Sequence, residues 1–180
     1  MIAGIGLPTD DMSETAQARP DLAPFCEGLG IDIGFGGDPI VPDAITFDMP
    51  QPYTQMGTTT QVLRGDCRSL PFICDHAFDW VYSSHLNEDF TYAQQVAMLV
   101  EWRRILKPGG YLITNCPDQQ RFVAHCAKTG QPDNPGHKEA DFSLETFRSR
   151  VLAPTGPWQD VYEKPQAGPY SWYLVVRRPL

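Results

Sequence analysis

Gly28-Leu29-Gly30-Ile31-Asp32-Ile33-Gly34-Phe35-Gly36-Gly37 is the stretch that decides the architecture. An alternating apolar run ends in Asp32-x-Gly34-x-Gly36-Gly37, the pattern of a buried strand that enters a glycine turn. Glycine lets the chain bend sharply there and leaves the backbone bare for a ligand to approach. A second short apolar run, Ala44, Ile45 and Phe47, ends in another acid, Asp48. A glycine turn after one strand and a carboxylate closing the next is the layout that holds a nucleoside, with the acid on the ribose hydroxyls. Asp also closes strands as a turn former in its own right, so this layout needs support from the rest of the chain.

Working outward, strands are expected over 28–33, 44–48, 60–64, 78–83 and 110–115. The run Phe78-Asp79-Trp80-Val81-Tyr82-Ser83 is nearly continuous in apolar character, as is Tyr111-Leu112-Ile113-Thr114. Both suit strands buried on two faces of a parallel sheet. Between them, Tyr92, Val96, Leu99, Trp102 and Leu106 recur at helical spacing and predict a helix over 92–106. Lys107-Pro108-Gly109-Gly110 then reads as helix punctuation. Residues 118–128 and 143–151 read as helical, and 158–163 and 171–177 as a closing antiparallel pair separated by Pro165–Pro169. The N-terminal stretch carries Pro8, Pro20 and Pro24, which leaves room for a short helix near 12–18.

The expected fold is therefore α/β, a Rossmann-like, mostly parallel seven-stranded sheet with a C-terminal antiparallel hairpin. Its division is a single domain over 26–180 with residues 1–25 packed on it. The first two crossovers are short: Asp38–Asp43 and Met49–Thr59 hold little more than a turn each. Helices are thus reduced on one face, which the N-terminal segment (Ile2, Ile5, Leu7, Met12, Leu22, Phe25) or a homodimer partner would have to shield.

Composition narrows the function. A net charge of −8 argues against a nucleic-acid partner, which is bound through clustered Lys and Arg. No apolar run approaches the roughly 18 residues of a membrane span, and no signal-like leader opens the chain, so a cytoplasmic protein is expected. Cys26, Cys67, Cys74, Cys116 and Cys126 contain no CxxC pair and suggest neither zinc nor a disulfide framework. A nicotinamide site wants Gly-x-Gly-x-x-Gly opening a full helix, and here Pro39 takes the third glycine's place.

Five motifs stand in order: Asp32-x-Gly34-x-Gly36-Gly37; Asp48; Gly65-Asp66-Cys67-Arg68-Ser69-Leu70-Pro71-Phe72; Phe78 through His85; and Leu106-Lys107-Pro108-Gly109-Gly110. Together they resemble the class I S-adenosylmethionine-dependent methyltransferases, and the short link Gly36–Pro42 resembles a subgroup of small bacterial members. The resemblance implies S-adenosyl-L-methionine as cofactor. It would lie against Asp32, Gly34, Phe35, Gly36 and Gly37, with Asp48 and Met49 at the ribose and Asp66 and Cys67 at the adenine. Ser83 and Ser84 would line the methionine and methyl end. No metal is implied. The acceptor would be a small molecule or saccharide, methylated on oxygen or nitrogen. The alternative is a non-catalytic subunit that binds the cofactor or a protein partner.

The sulfonium methyl is already electrophilic, so the protein mainly aligns the acceptor, with a base where a proton must leave. His85, just beyond the fourth strand, and His137, in the loop after Asn134-Pro135-Gly136, are the candidates, each of which could equally be structural. The segment Pro117–Phe142, with Gln119, Gln131 and Asn134, reads as a polar lid. Glu88 and Asp89 could orient a cationic or polyhydroxylated acceptor, but acids at the start of a helix are the simpler reading.

Overall fold

The computed structural model describes residues 12–52, 57 and 59–180. Expected apolar residues Ile2, Ile5 and Leu7 lie outside the described residues, as do 53–56 and 58 in the second crossover. Seven strands form one sheet: β1 (Gly30–Ile33), β2 (Ile45–Asp48), β3 (Leu63–Arg64), β4 (Phe78–Ser84), β5 (Leu106–Pro117), β6 (Gln159–Ala167) and β7 (Ser171–Arg177). Their order is β3-β2-β1-β4-β5-β7-β6, with β1 to β5 mutually parallel and β7 antiparallel to both neighbours. The order reverses between β1 and β4, and a cleft opens at the carboxyl ends of the strands at such a switch point.

Alternation along the strands builds two cores. Ile31 is in register with Ile45 and Val81, and Val81 with Leu112, which pairs with Val176. Ile31, Val81, Leu112 and Val176 face the helical side, where α2 (Tyr92–Ile105) contributes Met98, Leu99, Trp102 and Ile105. The next row, Tyr82, Ile113 and Val175, faces the other side with Trp80 and Tyr173. There α1 (Glu14–Leu22) inserts Ala18 and Leu22, both 0% exposed, and Ile40 of the short β1–β2 link fills the remaining space.

Helix α1 runs through Pro20, beyond the short helix expected near 12–18. Tertiary contacts outweigh the proline penalty: Ser13 caps the Ala16 amide, Leu22 is buried, and Arg19 pairs with Asp38 at 2.7 Å. Strand β5 likewise begins at Leu106, paired with Phe78, and includes the residues read as punctuation; Gly109, at φ +80, makes the bend there. Strand β6 passes Pro165 because it is an edge strand with a register shift between Lys164 and Ala167, where a missing N–H is tolerated. Gly30 is required by close approach, since a Cβ there would lie within 1.9 Å of the Trp80 ring.

Asp32 is 0% exposed, on the α1 face of β1. Its Oδ2 accepts from the Ile40 amide at 2.7 Å, while Oδ1 has no hydrogen-bond partner among the described residues. Burial pushes its carboxyl up to about 8, with Asp38 and Asp48 adding to the rise against the Ile40 hydrogen bond. A folded-state value above the ordinary 3.8 means the native protein holds a proton that the unfolded chain releases. That contribution to stability is complete below about 4 and is lost as pH rises towards about 8. Melting temperature should therefore fall between pH 5 and 9, a slope that Asp32→Asn should flatten. Glu88, also raised by burial, leaves a residual slope of the same sign. An unchanged slope in the variant would show that Asp32 does not carry the effect.

Candidate active site

Two cavities meet at the switch point and share Gly34, Asp48, Met49 and Leu86. One, of about 380 Å³, is mainly apolar, walled by Ile33, Phe47, Leu86 and Phe90 with Asp66, Cys67 and Arg68 at its rim. The other, of about 310 Å³, is walled by Gly34, Phe35, Gly36, Ser84, His85, Glu88 and His137, closed by Phe122, Asn134 and Tyr170. Ser13, Glu14 and Thr15, at the start of α1, line the same wall.

The glycine turn is built for the junction. Gly34, Gly36 and Gly37 have φ of +75, +57 and +91. A Cβ on Gly34 would press on Leu86 at 3.0 Å, whereas a Cβ on Gly36 would meet nothing within 4 Å among the described residues. The Asp48 carboxylate closes the turn: Oδ2 accepts from the Gly36 amide at 3.3 Å and Oδ1 from the Met49 amide at 2.7 Å. Partial burial raises the Asp48 carboxyl against those two hydrogen bonds. Asp66 and Cys67 are held by the far end of α2, since the Trp102 indole donates to the Cys67 carbonyl at 3.0 Å and Glu101 accepts from the Leu70 amide at 3.0 Å. Arg68 grips the Asp66 carboxylate, with its Nη2 at 2.7 Å, and holds that carboxyl below its ordinary range.

Three expected site residues do not line either cavity: Asp32 points into the α1 core, Gly37 lies behind the turn, and Ser83 is buried. Ser83 Oγ instead accepts from the Asn87 side chain at 3.2 Å and steadies the turn Asn87–Asp89. Phe35, Met49, Cys67 and Ser84 do reach the walls.

His85 and His137 come to one place. His85 sits at φ +49 beyond β4, its amide donating to the Asn115 carbonyl at 2.8 Å. Its Nε2 is 3.1 Å from Ser171 Oγ and 3.5 Å from Glu14 Oε2; its Nδ1 is 3.5 Å from Glu88 Oε1. His137 Nε2 is 4.0 Å from the same Glu88 oxygen, and its Nδ1 lies 2.5 Å from Gln119 Oε1. Burial lowers both imidazoles, against the raising effect of Glu14 and Asp89 on His85 and of Asp89 and Asp133 on His137. Glu88 is 1% exposed, its Oε2 has no hydrogen-bond partner among the described residues, and burial raises its carboxyl well above the ordinary value. Glu88 is thus the central member of the group, although its sequence position reads as an ordinary helix-start acid. The Lys138 amide donates to the Glu88 carbonyl at 2.9 Å, which ties loop 130–142 to this turn and helps bring the second histidine to it.

That loop is less uniform than a lid. Helix α3 (Gln119–Thr129) occupies its first half, Asn134 and His137 face the cavity, Gln131 is exposed, and Phe142 is part of the core. His125 rests 5.1 Å from the Tyr170 ring, and the His76 amide donates to the Arg104 carbonyl. Among the described residues no group of three or more His, Cys, Asp or Glu side chains is gathered for a metal ion. No helix there is long and apolar enough to cross a membrane.

The family model described as a methyltransferase domain matches residues 44–114. No curated protein matches the chain by sequence. A S-adenosylmethionine-dependent methyltransferase from Archaeoglobus fulgidus is similar in fold, with a TM-score of 0.65 at 16% identity, over 91% of this chain and 92% of that one. So is a Thermotoga maritima structure described as a S-adenosylmethionine-dependent methyltransferase, possible histamine N-methyltransferase, with TM-score 0.65, 21% identity, and 93% and 89% covered. A structure of the Haloferax volcanii Trm112 methyltransferase activator with a methyltransferase gives TM-score 0.65 at 16% identity, with 95% and 91% covered. The residues fit the cofactor these names carry: a bare Gly36 on the cavity wall, a carboxylate at the junction and an apolar cleft beside it. Residues 44–114 match the methyltransferase-domain model, the chain has the fold of these class I methyltransferases, and S-adenosylmethionine is its expected cofactor.

Proposed function

We propose that this protein transfers the methyl group of S-adenosylmethionine to the nitrogen or oxygen of a small-molecule acceptor. The observation that carries the reading is the convergence of His85, Glu88 and His137 in the cavity that adjoins the Gly36–Asp48 junction. When bound, the cofactor supplies a methyl carbon already activated by its sulfonium. Gly34 and Gly36 would present bare backbone to its methionine half, and Asp48 would accept from the ribose hydroxyls. Phe47, Leu86 and Phe90 would sandwich the adenine, with Asp66 shared between Arg68 and the adenine amino group. His85, held neutral by burial, would take the acceptor's proton, and Gln119 and Glu88 would fix the His137 ring beside it.

Asp48 supplies the test. Calorimetry should show S-adenosylhomocysteine binding, and Asp48→Ala should weaken it by about 1–3 kcal/mol, the scale of a lost hydrogen bond to a charged group. Unchanged affinity would remove Asp48 from the ribose site. Absence of binding to the unaltered protein would favour the second reading, a subunit that works through a partner. That reading draws on the Haloferax neighbour solved with an activator protein.

A further inference from the structure

The acceptor side of the cavity has a one-sided charge. Glu14, Asp38 and Glu88 all reach its wall, and no Lys or Arg side chain does among the described residues. Asp38 is neutralised by Arg19 at 2.7 Å, and one oxygen of Glu14 accepts from the Tyr170 hydroxyl at 2.5 Å. Glu88 differs from both. The residue lines the cavity, and its buried Oε2 has no hydrogen-bond partner among the described residues, an arrangement that is costly unless a donor arrives to complete it. Beside it stand the ring of Phe122, 4.9 Å from that of His137, and the ring of Tyr170, 5.2 Å from that of Phe122. A buried carboxyl with an unpartnered oxygen beside aromatic faces is an environment that selects a desolvated cation.

We propose that the acceptor is a small primary or secondary amine, bound as its ammonium between Glu88, Glu14 and the Phe122 and Tyr170 rings, and that anionic acceptors are excluded. The inference rests on the methyl-transfer reading of the same cavity. The ammonium supplies the donor that Glu88 Oε2 lacks and the positive charge that lets this carboxyl ionise on binding, releasing its proton to solvent. For transfer, the ammonium gives one proton to His85, and the freed nitrogen lone pair forms the bond to the methyl carbon. The carbon–sulfur bond breaks with its electron pair passing to sulfur. Neutral S-adenosylhomocysteine, the methylated ammonium and a protonated His85 result, so charge and protons balance; His85 then returns its proton to solvent.

Matched probes test this without turnover. Phenethylamine, 2-phenylethanol and 3-phenylpropionate share a shape and differ in charge, as do n-hexylamine, 1-hexanol and hexanoate. Calorimetry of each against the protein saturated with S-adenosylhomocysteine should rank at least one amine tenfold or more above its alcohol, with no carboxylate binding. Repeating the amine titration in buffers of different ionisation enthalpy should reveal proton release. Glu88→Gln should bring amine affinity down to that of the alcohol and abolish that release, with S-adenosylhomocysteine affinity unchanged. Should Glu88→Gln fail to fold, Glu14→Gln, on a partly exposed side chain, should still cost amine affinity several-fold. A carboxylate binding as well as its amine, or no amine binding at all, overturns the proposal. Loss of S-adenosylhomocysteine binding by the unaltered protein instead overturns the methyl-transfer reading beneath it.

Discussion

Gly36→Ala is expected to abolish S-adenosylhomocysteine binding, by more than 100-fold, in a protein that still folds. Gly36 lines the cavity, has φ +57, and a Cβ there meets nothing within 4 Å among the described residues. The new methyl therefore finds no atom of the described residues to push aside and occupies space at the cofactor junction. Its backbone cost is about 1–2 kcal/mol for a left-handed alanine. For a chain of 180 residues each kcal/mol lowers the melting temperature by about 2–4 °C. Gly130 provides the control. It caps α3 with φ +75 and also has open space around a Cβ, but lies away from both cavities. Gly130→Ala should thus show a similar thermal loss with full binding. Equal binding by the two variants would mean that Gly36 does not face the ligand.

Most of the fold can be read from the chain because its signals are local. The glycine turn after β1, the acid ending β2, the amphipathic α2 and the β-rich β4 and β5 each follow from a few neighbouring residues. The length of the link from β1 to β2 leaves no room for a helix, and the described residues hold none there. What local patterns miss is decided by long-range packing. Pro20 reads as a breaker, yet Ala18 and Leu22 need α1 to extend across the sheet to cover Trp80 and Tyr82. At the site, Asp32 shares a motif with Gly34 and Gly36, but strand alternation sends its side chain to the opposite core, where it holds Ile40. Asp66 looks free in sequence, and only the turn that follows shows Arg68 folding back on it. Glu88 is missed for the same reason in reverse. Position makes it a helix-start acid, and only burial against two histidines from separate segments gives it a chemical character.

His85→Asn is expected to lower the rate of methyl transfer by about 10²- to 10⁴-fold, the usual contribution of a positioned base. The rate is measured with the best acceptor from a screen of small amines and alcohols, and S-adenosylhomocysteine affinity should stay unchanged. Asparagine is chosen because His85 sits at φ +49, a conformation that Asn accepts with little strain. The pH dependence separates a base from a merely structural ring. Burial lowers the His85 imidazole from 6.5, so the neutral, proton-accepting form persists below that value. The unaltered enzyme should lose activity only as pH falls below about 6.5, and His85→Asn should remove that acid limb along with most of the rate. Stability follows the opposite partner of the same equilibrium. The unfolded chain protonates its imidazole first, so the native state loses stability as pH drops from about 6.5 through the lower folded value. The variant should lose less over that interval. His137→Asn serves as the comparison, because His137 is anchored by Gln119 and reaches Glu88 only at 4.0 Å. Its rate loss should be smaller, with the acid limb retained. A His85→Asn enzyme within threefold of the original rate, or one that keeps the limb while His137→Asn loses it, would transfer the role of base to His137.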